Sequence, residues 1–183
     1  MQQVSFTTMD AGTYEDYQLT RVEENRMITD WPDAVLGWLR DMDVPSVYQI
    51  TRFEHSLQAA SRAHRAGEDE EMVVAALLHD VGDVLAPANH SEVAAAMLRP
   101  YVSERVYWII KHHGLFQGYY YNHHYGQDRN LRDRFKDHQW YDDTVRFCHD
   151  YDQVSFDPTY DSEPLEFFEP MVRHQLAEPH YAP

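Results

Sequence analysis

Apolar residues recur along this chain at helical spacing, and no strand-length run alternates with period two. Residues 1–13 read as a lead-in. Thr13 followed by Glu15 and Asp16 predicts a helix start, with the helix running to about Met27. Asp30 and Pro32 predict a second helix through Val35, Leu36, Trp38 and Leu39. Pro45-Ser46 opens a third over 47–66, with Ile50, Phe53, Leu57, Ala60, Ala63 and His64 at helical intervals and Gly67 at its end. Asp69 begins a fourth, which carries the apolar run Met72-Val73-Val74-Ala75-Ala76-Leu77-Leu78 and ends near Gly82. Asn89 or His90 starts a fifth over 91–98, before Pro100. Ser103 starts a sixth through Val106, Trp108, Ile109 and Ile110, ending at Gly114. The aromatic, histidine-rich stretch 116–126 fits no element firmly. A long helix over 141–156 stops before Pro158, and a last one covers 163–176. The prediction is an all-α fold, with Met72, Trp108, Phe147 and Phe156 in its core.

Composition narrows the class. A chain of 183 residues with 43% hydrophobic content suits one globular domain spanning 1–183. Only 7 glycines argue against a turn-rich β fold. The run 72–78 is far too short to span a bilayer, so no membrane is expected as a partner. The first residues lack the basic and apolar blocks of a secretory signal. Cys148 is the single cysteine, so no disulfide forms within the chain and a cytoplasmic setting is expected. The formal net charge of −16 repels a phosphate backbone, which argues against nucleic acid as a partner; the charge reads first as a solubility feature, with a bias toward small cationic or neutral substrates as the alternative. The run Glu68-Asp69-Glu70-Glu71 reads as a solvated helix start.

The candidate chemistry lies in histidines and aspartates, since imidazole is the commonest metal ligand and the chain has 12 histidines. His79-Asp80 closes the buried run and precedes Val81-Gly82-Asp83. A carboxylate there can serve two cations, one per oxygen, although Asp80 could equally cap the next turn. His55 lies in Glu54-His55-Ser56-Leu57-Gln58-Ala59-Ala60, where it could otherwise be a core histidine bonded to backbone. His90 sits at a helix N-terminus, where the dipole disfavours an imidazolium but not a neutral ligand. His112 and His113 are adjacent on a helix and point about 100° apart, so one of them reaches a site. Asp152 lies in Tyr151-Asp152-Gln153-Val154-Ser155. Each could be a polar helix terminus. Together they form six N/O donors without sulfur, which suits iron, manganese or zinc. Six are too many for one ion that must also bind substrate, so two ions sharing Asp80 are expected.

These motifs resemble the HD-domain superfamily. The resemblance is closest to its branch of diiron oxygenases, the myo-inositol and phosphonate-cleaving enzymes. Glu54-His55-Ser56-Leu57-Gln58-Ala59-Ala60 and Ala76-Leu77-Leu78-His79-Asp80-Val81-Gly82 carry most of it, with His90-Ser91-Glu92, His113-Gly114 and Tyr151-Asp152-Gln153-Val154-Ser155 behind them. It covers about residues 47–157, leaving N- and C-terminal helical extensions. It implies a helical bundle holding two irons, working as Fe(II)/Fe(III). His55, His79, Asp80 and Asp152 would hold one; Asp80, His90 and His113 the other, with His112 the alternative to His113. It also implies O2 and a small hydroxylated substrate as partners, with C–H abstraction leading to C–C or C–P cleavage.

Two departures bear on the substrate. Asp83 stands where relatives often have lysine, and Pro45 and Tyr48 stand where phosphonate enzymes have a tyrosine and a glutamate; both argue against an anionic phosphonate. Gln58, Asp83 and Lys111 are the candidate catalytic residues beside the metals, with Gln117 and Tyr120 as further neighbours; Gln58 is one helical turn from His55, and the alternative for Gln58, Lys111, Gln117 and Tyr120 is an ordinary surface or packing role. The alternative is a manganese- or zinc-dependent phosphohydrolase of the same superfamily acting on a phosphate ester or nucleotide. The scarcity of Lys and Arg, 15 in all, counts against it.

Overall fold

A computed structural model describes residues 2–180. Among them there are seven α-helices and no strand: α1 (Tyr14–Asp41), α2 (Arg52–Arg65), α3 (Glu70–Leu78), α4 (His90–Leu98), α5 (Glu104–Tyr121), α6 (Tyr141–Phe147) and α7 (Leu165–Gln175). Short 3₁₀ turns join several of them, and a π-helical turn, Cys148–Asp152, continues α6.

α3 occupies the centre. Met72 through Leu78 are at most 1% exposed, so this helix is apolar on every side and must be surrounded. α2 packs along it, and its buried Ala59, Ala60 and Ala63 are small enough to let the two backbones come close. α5 and α7 cover other sides. α4 pairs with α5, α6 lies against α5, and the π turn reaches α2. α1 contributes Val35, Leu36 and Leu39 to the core. No helix among the described residues is long and apolar enough to cross a membrane.

Several boundaries differ from the sequence expectation, each for a physical reason. The first two predicted helices are one. Pro32 sits inside α1, where it forfeits only the bond to the carbonyl of Ile28, a residue at the solvent-exposed surface. α2 begins later than residue 47 because Thr51 caps it: its hydroxyl accepts from the Glu54 N–H while the Glu54 carboxylate accepts from the Thr51 N–H. α5 does not stop at Gly114 but runs through the unassigned aromatic stretch to Tyr121. The last part of the predicted 141–156 helix is the π turn and a loop. Phe156 is 36% exposed and not core, whereas Met72 and Phe147 are buried and Trp108 is half-buried.

Two glycines are required by close approach. A Cβ on Gly82 would collide with the His90 carbonyl oxygen, and one on Gly114 would lie 2.6 Å from Ser91 Oγ. Gly82 and Gly114 therefore let α4 press against the turn after α3 and against α5. We predict that Gly82→Ala destabilises the fold by about 1–3 kcal/mol, because the obstacle is backbone and cannot rotate away. Urea unfolding measures this, and an unchanged midpoint would refute the constraint.

Candidate metal centre

The structure brings all six candidate donors to one place, each delivered by the end or the face of a helix. His55 lies in the second turn of α2, His79 caps the C-terminus of α3, and Asp80 follows it. His90 is the first residue of α4, His113 lies in the middle of α5, and Asp152 ends the π turn. π turns within helices are frequent at functional sites. This one is pinned by the Tyr151 hydroxyl, which donates to Glu68 at 2.6 Å, and by the Ser155 hydroxyl, which donates to the Tyr151 carbonyl.

The donors divide around the Asp80 carboxylate. Its Oδ2 lies 3.7 Å from His55 Nε2 and 3.6 Å from His79 Nε2. Asp152 Oδ1 completes that group, 3.4 Å from His55 Nε2 and 3.8 Å from His79 Nε2. The other oxygen, Asp80 Oδ1, lies 3.2 Å from His113 Nε2 and 3.4 Å from His90 Nε2. Asp80 makes no capping bond, and outside this cluster its carboxylate meets Arg52, whose Nη1 lies 4.0 Å from Oδ2. His55, His79 and Asp152 place donor atoms within 4.8 Å of one another, and so do His79, Asp80 and His113.

The hydrogen bonds behind the rings decide which nitrogen faces inward. His55 Nδ1–H donates to the Ser155 carbonyl at 2.8 Å, His79 Nδ1–H to the Ala76 carbonyl at 2.8 Å, and His113 Nδ1–H to the Ile110 carbonyl at 2.6 Å. A carbonyl only accepts, so the proton sits on Nδ1 and the Nε2 lone pair points into the cluster. His90 is looser: its Nδ1 lies 3.4 Å from the Pro87 carbonyl, and its Nε2 is also met by the Ser91 hydroxyl at 3.1 Å. His55 Nε2 and His79 Nε2 stand 3.2 Å apart with lone pairs facing each other. With both rings neutral that contact is repulsive, and either a cation between them or a proton on His55 relieves it. Separations of 3.2–3.8 Å between donors also match the edges of a coordination shell with bonds of about 2.1 Å. The residues present thus fit metal ions.

Electrostatics agree with this arrangement. Burial drives the His79 pKa down to about 4, only partly offset by Asp80 and Asp152. Burial also opposes charge on His55 and His113, but Asp152 beside the first and Asp80 beside the second outweigh it and hold both above the usual histidine value. Burial alone would raise the Asp80 pKa; the surrounding imidazoles, His79 first, hold it well below the usual range. His90 is lowered by burial.

Residues 52–139 match the family model of the HD domain. This chain carries an HD domain. Proteins with this domain are generally metal-dependent enzymes. No curated protein matches the chain. The matched stretch of the HD domain contains His55, His79, Asp80, His90 and His113, while Asp152 lies beyond its end.

Above the centre opens a cavity of about 430 Å³, whose wall includes Asp80, His90, His113, Gln117 and Asp152. Gln117 donates to Asp152 Oδ1 at 2.9 Å, and its buried Oε1 has no partner among the described residues. The three residues expected to act beside the metals do not line this cavity. Gln58 is buried but spends its amide on the backbone of Asp157, donating to the carbonyl at 2.8 Å and accepting from the N–H at 3.3 Å. Lys111 turns toward Glu92, at 3.5 Å, and the Tyr107 ring. Asp83 pairs with Arg52, a residue that sequence reasoning missed. This corrects the expectation that Asp83 repels anions from the pocket, because the guanidinium neutralises it. The available signal was spacing: Arg52 is three residues, about one helical turn, before His55. His112 is turned away, stacked on Trp108 at 3.7 Å with its Nδ1–H donating to the Trp108 carbonyl.

The histidine shifts predict a divided titration in metal-free protein. His55 and His113 should protonate above pH 6.5, while His79 should stay neutral down to about pH 4. The charged forms of His55 and His113 stabilise the metal-free fold below the usual histidine value, and that contribution is lost as pH rises through their raised values. His79 acts oppositely, costing stability as pH falls from about 6.5 toward 4. Histidine NMR resonances followed against pH test this; a single common midpoint for the three would contradict it.

Proposed function

We propose that the chain is a dinuclear non-heme iron oxygenase that oxidises, and cleaves, a small hydroxylated substrate using O2. The observation that carries a two-ion reading is the division of the Asp80 carboxylate, with His55, His79 and Asp152 grouped around one oxygen and His90 and His113 around the other. His55, His79, Asp80 and Asp152 would hold one ion, and Asp80, His90 and His113 the other. The second set has fewer protein donors, and His90 and His113 line the open cavity, which leaves room for substrate there. Bound in this cradle, iron supplies one-electron chemistry with O2 that no side chain can provide.

The chain's own residues bind, orient and shield. Gln117 fixes the rotamer of Asp152 by donating to its Oδ1, while its own carbonyl oxygen is buried without a partner. The backbone carbonyls of Ser155, Ala76 and Ile110 set the tautomers of His55, His79 and His113. Phe156, stacked on His55 at 4.4 Å, and Phe147 beside His79 at 5.7 Å limit water around the rings. Against a phosphohydrolase stands the cation count. Arg52 is the one Lys or Arg in the described cavity wall, and Asp83 already holds it, so no free basic clamp faces a phosphate.

Anaerobically iron-loaded protein, partly oxidised, should give the EPR signal of a coupled Fe(II)/Fe(III) pair, and His79→Ala should lose it. Absence of that signal together with manganese- or zinc-dependent phosphatase activity would overturn the oxygenase reading. Metal analysis gives a second check. Wild-type chain should bind two ions, His90→Ala should retain one, and Asp80→Ala should retain neither at stoichiometric loading.

A further inference from the structure

Asp83 is not among the six donors and does not line the cavity, yet its carboxylate lies behind one of the donor rings. Asp83 Oδ1 stands 3.5 Å from His90 Nδ1, while His90 Nε2 faces Asp80 Oδ1 at 3.4 Å. The second Asp83 oxygen pairs with Arg52, whose Nη1 also lies 4.0 Å from Asp80 Oδ2. Asp80, His90, Asp83 and Arg52 thus close a circuit of alternating acceptors and donors. Backbone geometry holds it together. Asp83 sits in the 3₁₀ turn Val81–Val84, where its N–H donates to the Asp80 carbonyl at 2.9 Å. Gly82, the residue before it, has no Cβ, and the His90 carbonyl packs into that space. The carboxylate is therefore brought beside the start of α4, where the helix dipole favours a negative charge.

The other three rings are backed differently. His55, His79 and His113 each give the Nδ1 proton to a backbone carbonyl at 2.6–2.8 Å. The carbonyl nearest to His90 Nδ1, that of Pro87, is 3.4 Å away, too far to orient the ring by itself. Among the described residues, His90 is the one donor ring with a carboxylate facing its Nδ1. A carboxylate behind an imidazole does more than a carbonyl. Its full charge fixes the proton on Nδ1, leaves the Nε2 lone pair free and strengthens that nitrogen as a ligand. Such help matters most in the group of Asp80, His90 and His113, which offers fewer protein donors than the group around Asp152. Arg52 meets the remaining Asp83 oxygen, so the half-circuit behind the ring carries no net charge.

We propose that Asp83 is a positioning residue for His90: its carboxylate accepts the Nδ1 proton when Nε2 binds the second ion, and Arg52 compensates its charge from the other oxygen. This assignment rests on the proposed function, in that it takes His90 to be a ligand of that ion. Zinc(II) is the probe, because it suits the same donors, is diamagnetic and does not react with oxygen. Calorimetry on the metal-free chain should find two zinc ions, the weaker one lost in His90→Ala. Asp83→Asn, which keeps the shape and removes the charge, should weaken that ion by roughly tenfold to a hundredfold and leave the tighter one unchanged. Arg52→Gln, which removes the ion pair and spares the carboxylate, should still hold both ions. In the zinc-loaded chain the His90 Nδ1 proton should give a low-field NMR resonance that Asp83→Asn moves upfield, a change that a merely structural role would not produce. Circular dichroism and retention of the tighter ion show that each variant is folded. An unchanged affinity for the weaker ion in Asp83→Asn, or an equal loss in Arg52→Gln, would overturn the role of Asp83 and leave the two-ion reading standing. A wild-type chain that binds a single zinc, retained in His90→Ala, would overturn both. Zinc reports on the cradle alone, so an oxygenase reading that fails by EPR does not change this result.

Discussion

Placing three imidazoles and two carboxylates inside a helical core is unfavourable unless each charge or lone pair finds a partner, since desolvation costs several kcal/mol per ion. In this chain the Asp80 carboxylate resolves most of that problem. It lies within 4 Å of the inward nitrogens of His55, His79, His90 and His113, one oxygen toward each pair. Every surrounding helix is arranged to satisfy it. α3 ends so that His79 and Asp80 leave the apolar core together, Gly82 lets His90 close in, and the π turn swings Asp152 to the side that Asp80 cannot cover.

The same constraint explains why the fold tolerates so polar a centre. Three of the four rings spend their Nδ1 proton on a carbonyl of the chain at 2.6–2.8 Å, so orientation comes from the backbone and not from further side chains. What remains inward is a set of lone pairs and carboxylate oxygens with repulsive mutual contacts, the 3.2 Å approach of His55 to His79 being the closest between rings. Bound cations would convert that repulsion into cohesion, which would link metal binding to local stability.

Much of this was legible in the sequence because the relevant signals are local. The apolar run 72–78 feeding into His79-Asp80 gave both the central helix and the position of its donors. His113 and His112 were separable only in the structure, where packing against Trp108 takes His112 away. Pro32 and Gly114 misled because their propensities were overridden by tertiary packing: one is absorbed in a long helix, the other is needed for contact with Ser91. Arg52 and, Tyr120 apart, the tyrosine wall of the cavity were invisible for a different reason. A lone arginine and scattered aromatics acquire meaning only when three loops and the end of α5 fold over one cavity. The role expected of Gln58 failed on direction, since one helical turn from His55 put it beside Asp157 and not over the metals.

The central claim is that Asp80 bridges two ions. Anomalous X-ray diffraction at the iron edge, from crystals of anaerobically loaded protein, tests it directly. The account predicts two peaks, one between Asp80 Oδ2 and the His55, His79 and Asp152 donors, the other between Asp80 Oδ1 and the His90 and His113 donors. A single peak, or a pair that does not share Asp80, would contradict it.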